Sequence, residues 1–102
     1  MAQKMNGTES LNDALERLTK AGYSESFRAS NGQLKSASGS YDPSEFTVDT
    51  VVRFEGATDL DEEAAIFALT HMKSNTKGVY VVAFGPQMDT DDVDIVQKLH
   101  KS

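Results

Sequence analysis

Phe46-Thr47-Val48-Asp49-Thr50-Val51-Val52-Arg53-Phe54-Glu55 is the stretch on which the architecture turns. Phe46, Val48, Thr50, Val52 and Phe54 alternate with Thr47, Asp49, Val51, Arg53 and Glu55, the period of two that sends successive side chains to opposite sides of a sheet. The first set is expected to face a core and the second mostly water. Gly56 follows as a stop. Asp42-Pro43-Ser44-Glu45 precedes as a turn or a single helical turn, because proline presets φ for a first helical position and Asp42 can cap it.

Toward the N-terminus, residues 27 to 41 are polar and rich in Ser and Gly, with a turn signal at Asn31-Gly32 and a short edge strand expected over Gln33 to Ser36. Before them, Leu11, Leu15 and Leu18 recur at helical spacing behind a cap at Thr8 or Ser10. Gly22 is placed to end that helix in a left-handed conformation, with Tyr23 folding back on it. Residues 1 to 7 read as a tail, and 8 to 102 as one domain.

Toward the C-terminus, Asp61-Glu62-Glu63-Ala64-Ala65-Ile66-Phe67-Ala68-Leu69 carries a helical start signal, yet Ile66, Phe67, Leu69, Thr70 and Met72 suit both faces of a central strand equally well. The strand is the favoured reading, since Ser74-Asn75-Thr76-Lys77-Gly78 makes a turn into the β-branched and aromatic run Val79-Tyr80-Val81-Val82-Ala83-Phe84, bounded by Gly85-Pro86. A second helix closes the chain, capped near Asp89 or Thr90, opened by Asp91 and Asp92, packed through Val93, Val96 and Leu99, and finished by basic residues. Connections between consecutive strands are too short for parallel crossovers. The expected fold is therefore α+β: an antiparallel sheet of three to four strands, one face covered by an N-terminal and a C-terminal helix.

Composition bounds the chemistry. Cysteine is absent, which removes disulfides, thiolate nucleophiles and Cys-based metal sites. Net charge is −6, and Asp42 to Glu63 holds eight acids against Arg53 alone. Such a surface repels phosphate backbones, so nucleic acid is not an expected partner. No apolar run is long enough for a membrane span or a signal sequence, which points to the cytoplasm.

No Gly-rich phosphate loop and no Gly-x-Ser-x-Gly elbow occurs. Asp89, Asp91, Asp92 and Asp94 fail as a calcium loop, because Asp94 stands where glycine is needed and His100 where a bidentate Glu is needed. They are read as helix N-terminal charge, and neither metal nor cofactor is expected. His71 is read as a structural or surface histidine, with general-base work as the alternative. Arg53 and Glu55, with Arg28 and Tyr41, form a candidate anion or small-molecule site if the polar sheet face is concave. Asp59, Asp61, Glu62 and Glu63 form a candidate acidic surface for a basic partner, or ordinary solvated charge.

Leu18-Thr19-Lys20-Ala21-Gly22-Tyr23, Asp42-Pro43-Ser44-Glu45-Phe46, the run Val48-Asp49 through Val52-Arg53-Phe54-Glu55-Gly56 and Gly78-Val79 through Gly85 together resemble a family of bacterial proteins of about this length whose function is uncharacterised. The resemblance covers most of residues 8 to 100 and favours a strand over 64 to 72. Members of that family often carry the name phosphoribosylpyrophosphate synthetase. The residues do not support that activity: such a synthetase resembles a much longer fold with an Asp-Asp-x-x-x-Thr-Gly-type phosphate loop, whereas Asp91-Asp92 opens a helix and no Thr-Gly follows. The resemblance therefore brings no catalytic residue. The leading expectation is a non-enzymatic module that associates through its sheet, as a homodimer or with a protein partner; a small enzyme or ligand binder using Arg53 or His71 is the alternative.

Overall fold

Helix α1 (Leu11–Lys20) begins at Ser10, whose Oγ accepts from the Asp13 N–H at 3.1 Å while the Ser10 N–H donates to the Asp13 carboxylate at 3.3 Å. It ends as expected at Gly22, where φ is +113° and the Tyr23 N–H returns to the Leu18 carbonyl at 3.0 Å. In this computed structural model residues 10–55, 63–84 and 90–100 are described. The tail at 1–7, the stops at Gly56 and Gly85-Pro86, and Asp89 lie outside them.

Six strands follow α1 in one sheet: β1 (Glu25–Ser30), β2 (Gln33–Ser36), β3 (Gly39–Tyr41), β4 (Phe46–Glu55), β5 (Glu63–His71) and β6 (Lys77–Phe84), with a 3₁₀ turn at Pro43–Glu45 and helix α2 (Thr90–His100) at the end. The spatial order is β3-β2-β1-β6-β5-β4. The chain is α+β, but the expected three to four antiparallel strands are replaced by six in a mixed sheet. The two added strands, β1 and β3, are polar and short, so periodicity alone does not reveal them. Asn31 and Gly32 both take positive φ, which closes β1 onto β2 as a two-residue hairpin. Gln33–Ser36 is indeed a strand, but it lies between β1 and β3 and is not an edge.

Every sequential hairpin is antiparallel, and the one parallel pair joins β1 to β6, strands separated in the chain by all the others. Short-connection arguments cannot see such a pair. Gly78 makes it sterically feasible, because a Cβ there would lie 2.5 Å from the Glu25 carbonyl oxygen and 2.6 Å from the Phe27 ring.

The helices sit on opposite faces, not together on one. Ile95 and Leu99 of α2 pack on Phe27, Leu34, Phe46, Ala65, Phe67, Leu69, Tyr80 and Val82. Ala14 and Leu18 of α1 pack on Ile66, Ala68 and Val79. Residues 64 to 69 are apolar at every position because β5 is covered on both sides, and such a run has no period that separates strand from helix. In α2 it is Ile95 that is buried, whereas Val93 is 38% exposed.

β4 departs from the expected single core face. Phe46 and Val48 join the cluster beneath α2, but Val52 and Phe54 join the one beneath α1. The register explains the switch: Val48 pairs with Leu69 and Thr50 with Ala68, so Asp49 is an extra residue. A one-residue bulge reverses the facing of everything beyond it.

Candidate functional site

Asp49 is held at the bulge by three hydroxyls. Its carboxylate accepts from Tyr23 at 2.7 Å, from Thr70 at 2.7 Å and from Thr47 at 3.1 Å. Burial pushes its pKa up, but those hydroxyl donors outweigh burial and hold it below the usual aspartate value. The same contact raises the Tyr23 phenol. The cluster fixes the C-terminal end of α1 to the point where β4 changes face.

The densest polar constellation lies around His71, at the end of β5. The ring is 5% exposed and rests against Tyr41 and Phe46, with ring centroids 4.6 and 5.0 Å away. Nε2 lies 2.8 Å from Glu45 Oε1, and Nδ1 lies 2.8 Å from Ser74 Oγ. An ionised carboxylate only accepts, so Nε2 donates to Glu45, while Nδ1 and the Ser74 hydroxyl share the second hydrogen bond. The other Glu45 oxygen meets Lys73 Nζ at 2.9 Å. Donation from His71, then from Lys73, holds the Glu45 carboxyl below its ordinary value.

Local sequence places each partner. Pro43 and the Asp42 cap form the 3₁₀ turn that presents Glu45, and the Met72 N–H donates to the Glu45 carbonyl at 2.9 Å. The β5–β6 turn carries Ser74 back over the ring, closed by Asn75 N–H to His71 O at 2.7 Å and His71 N–H to Thr76 O at 2.8 Å.

Serine, histidine and glutamate in series have the composition of a nucleophile relay. The details favour a fastener. The Ser74 oxygen is also engaged by the Thr76 hydroxyl at 2.8 Å and the Thr76 N–H at 3.3 Å, so its lone pairs are occupied. The aromatic rings that bury His71 leave a substrate little access to the base. What the arrangement does chemically is bind three chain segments, the 3₁₀ turn, the end of β5 and the β5–β6 turn, through one imidazole.

The remaining sequence-derived candidates disperse. Arg53 is exposed on β4 opposite Ala65, on the α2 side of the sheet. Arg28 is exposed on β1 opposite Lys35, on the other side, with β6 and β5 intervening. Tyr41 belongs to the aromatic cluster, its hydroxyl 2.7 Å from Ser38 Oγ. Arg53, Arg28 and Tyr41 are thus not brought to one place. The backbone of Glu55 pairs with that of Glu63 where β4 meets β5. Asp59, Asp61 and Glu62 lie outside the described residues, as does the Glu63 side chain. In α2, Asp92 accepts from the buried Tyr80 hydroxyl at 2.6 Å, and Asp94 pairs with Lys98 at 3.3 Å.

Two features escaped the sequence reading. The like-charged pair Arg28–Lys35 was legible in principle, because a hairpin turning at Asn31-Gly32 must set these positions opposite each other once both flanks are read as strands. The free side of β4 was not, since strand order is a tertiary property. Compared with family models, curated proteins and solved structures, the chain shows no match. No helix among the described residues is long and apolar enough to cross a membrane.

Proposed function

We propose that the chain is a non-enzymatic association module that recruits a second copy of itself, or an extended segment of a partner protein, by strand addition along β4. One observation carries the reading: β4 ends the sheet with ten residues, and among the described residues no strand pairs with its outer side. Along β5 and β6 helices already pack on both faces of the sheet, which leaves the outer edge of β4 as the way to associate at this end of it. Beyond the bulge, Thr50 to Glu55 run in unbroken register, and Val51 exposes 42% of its surface there. A regular outer edge offers main-chain donors and acceptors to an incoming strand. The lack of cysteine suits a reducing compartment, and the proposal puts the chain in the cytoplasm.

The test is light scattering and sedimentation of the chain and of Val51→Pro, which deletes an N–H and cannot extend a ladder. Concentration-dependent dimers lost in the variant support self-pairing. A monomer that captures an extended peptide, with amide shifts along β4, supports a partner strand. A monomer whose β4 amides respond to neither sinks the proposal.

A further inference from the structure

Among the described residues, the β1–β2–β3 corner of the sheet is covered on one side only. Phe27, Leu34, Ala29 and Tyr41 pack beneath α2 on that side. The cluster under α1 draws on β4, β5 and β6 and contains no residue of β1, β2 or β3. Alternation then assigns Ser26, Arg28, Gln33, Lys35 and Ser40 to the uncovered side, and all five are exposed.

This surface has an unusual charge for so acidic a chain. Arg28 and Lys35 are direct cross-strand partners, a placement that brings like charges within roughly 5 Å at Cβ and costs stability. Among the described residues neither cation has an acidic partner. Their immediate neighbours on this side are Ser26 and Ser40, which add hydroxyls and no compensating carboxylate. Val81, one residue beyond the partner of Phe27 on β6, is 40% exposed and borders Arg28 with apolar surface.

We propose that this face docks a short, extended, acidic segment of a partner protein. Charge complementarity selects the occupant. A small free anion meets only one or two side chains on such an open face, whereas carboxylates on alternate residues of an extended strand are spaced about 7 Å apart and can address both cations. Nucleic acid fits less well, because its phosphates would continue past the patch into a chain of net charge −6. This docking face is separate from β4 and does not depend on strand addition there.

The experiment is an amide-shift titration of the labelled full chain with an alternating Glu-Ser octapeptide at low salt, beside a Lys-Ser octapeptide, inorganic phosphate and an oligothymidylate. Shifts confined to β1, β2 and β3, seen with the Glu-Ser peptide and weakened by salt, are expected. Lys35→Gln should weaken binding and Arg28→Glu with Lys35→Glu should abolish it; both positions are exposed, and circular dichroism checks that the variants fold. Val51→Pro should bind as the parent does. The proposal is overturned if the acidic peptide produces no shifts, if they fall on β4, if the Lys-Ser peptide acts equally, or if phosphate or the oligonucleotide binds more tightly.

Discussion

Replacing Tyr80 by Phe removes one hydroxyl from the centre of the sheet and nothing else. The ring stays at 1% exposure beside Phe67, 6.0 Å between centroids. What is lost is the 2.6 Å donation to Asp92, the contact that ties the first turn of α2 to β6. Hydrogen bonds to charged acceptors contribute about 1.5–3 kcal/mol, but Asp92 is half-buried and water can replace the donor, so a loss of about 1–1.5 kcal/mol is expected. The reverse truncation is worse. Asp92→Ala leaves a fully buried hydroxyl without an acceptor and should cost about 2–3 kcal/mol. Adding Tyr80→Phe to Asp92→Ala should then cost nothing further, a coupling of about 1–1.5 kcal/mol. At this chain length Tyr80→Phe lowers Tm by about 5–10 °C, measured with calorimetry and urea unfolding of the four-member cycle. The same burial, reinforced by Asp92, raises the Tyr80 phenol far above 10.0. A raised folded pKa means stability is intact below the unfolded value of 10.0 and declines as pH climbs above it. Alkaline titration followed by phenolate absorbance should show Tyr80 ionising only on unfolding. Additive single variants, or a Tyr80 that titrates freely in the folded chain, would refute the anchoring role.

Two further perturbations probe the frame. Gly78→Ala forces a methyl against the Glu25 carbonyl in the parallel β1–β6 pair and should destabilise by about 1–3 kcal/mol in urea, whereas an unchanged midpoint would mean the strands are not so close. Glu45 and Asp42 are both held below their ordinary values, Glu45 by His71 and Lys73 and Asp42 by the Ser44 N–H. Lowered folded pKa values give stability that is present above the unfolded value, 4.5 for Glu45, and lost as pH falls through the folded one. Urea midpoints across an acid series should fall below that pH, and Glu45→Gln should flatten part of the fall; a parallel fall in the variant would remove Glu45 as its cause.

The local grammar of this chain is written in its residues. Gly22 announces the end of α1, Pro43 the 3₁₀ turn, Asn31-Gly32 a two-residue hairpin, and the β-branched run at 79 to 84 a strand, because each depends on φ preferences or on side-chain spacing within a few residues. His71 was legible as a structural histidine but not as the pin of three segments, since Glu45 reaches it only after β4 and β5 have paired.

What the tertiary structure alone decided is which side each residue faces and which strands are neighbours. Alternation in β4 is real on both flanks of Asp49, but an inserted residue reverses its phase, and the bulge is held by Tyr23, Thr47 and Thr70, two of them distant in the chain. The helices divide between the two faces for a related reason. β5 and β6 are apolar on both sides, and burying both requires one helix above and one below. Period and composition specify how much surface must leave water; only the assembled sheet specifies where it goes.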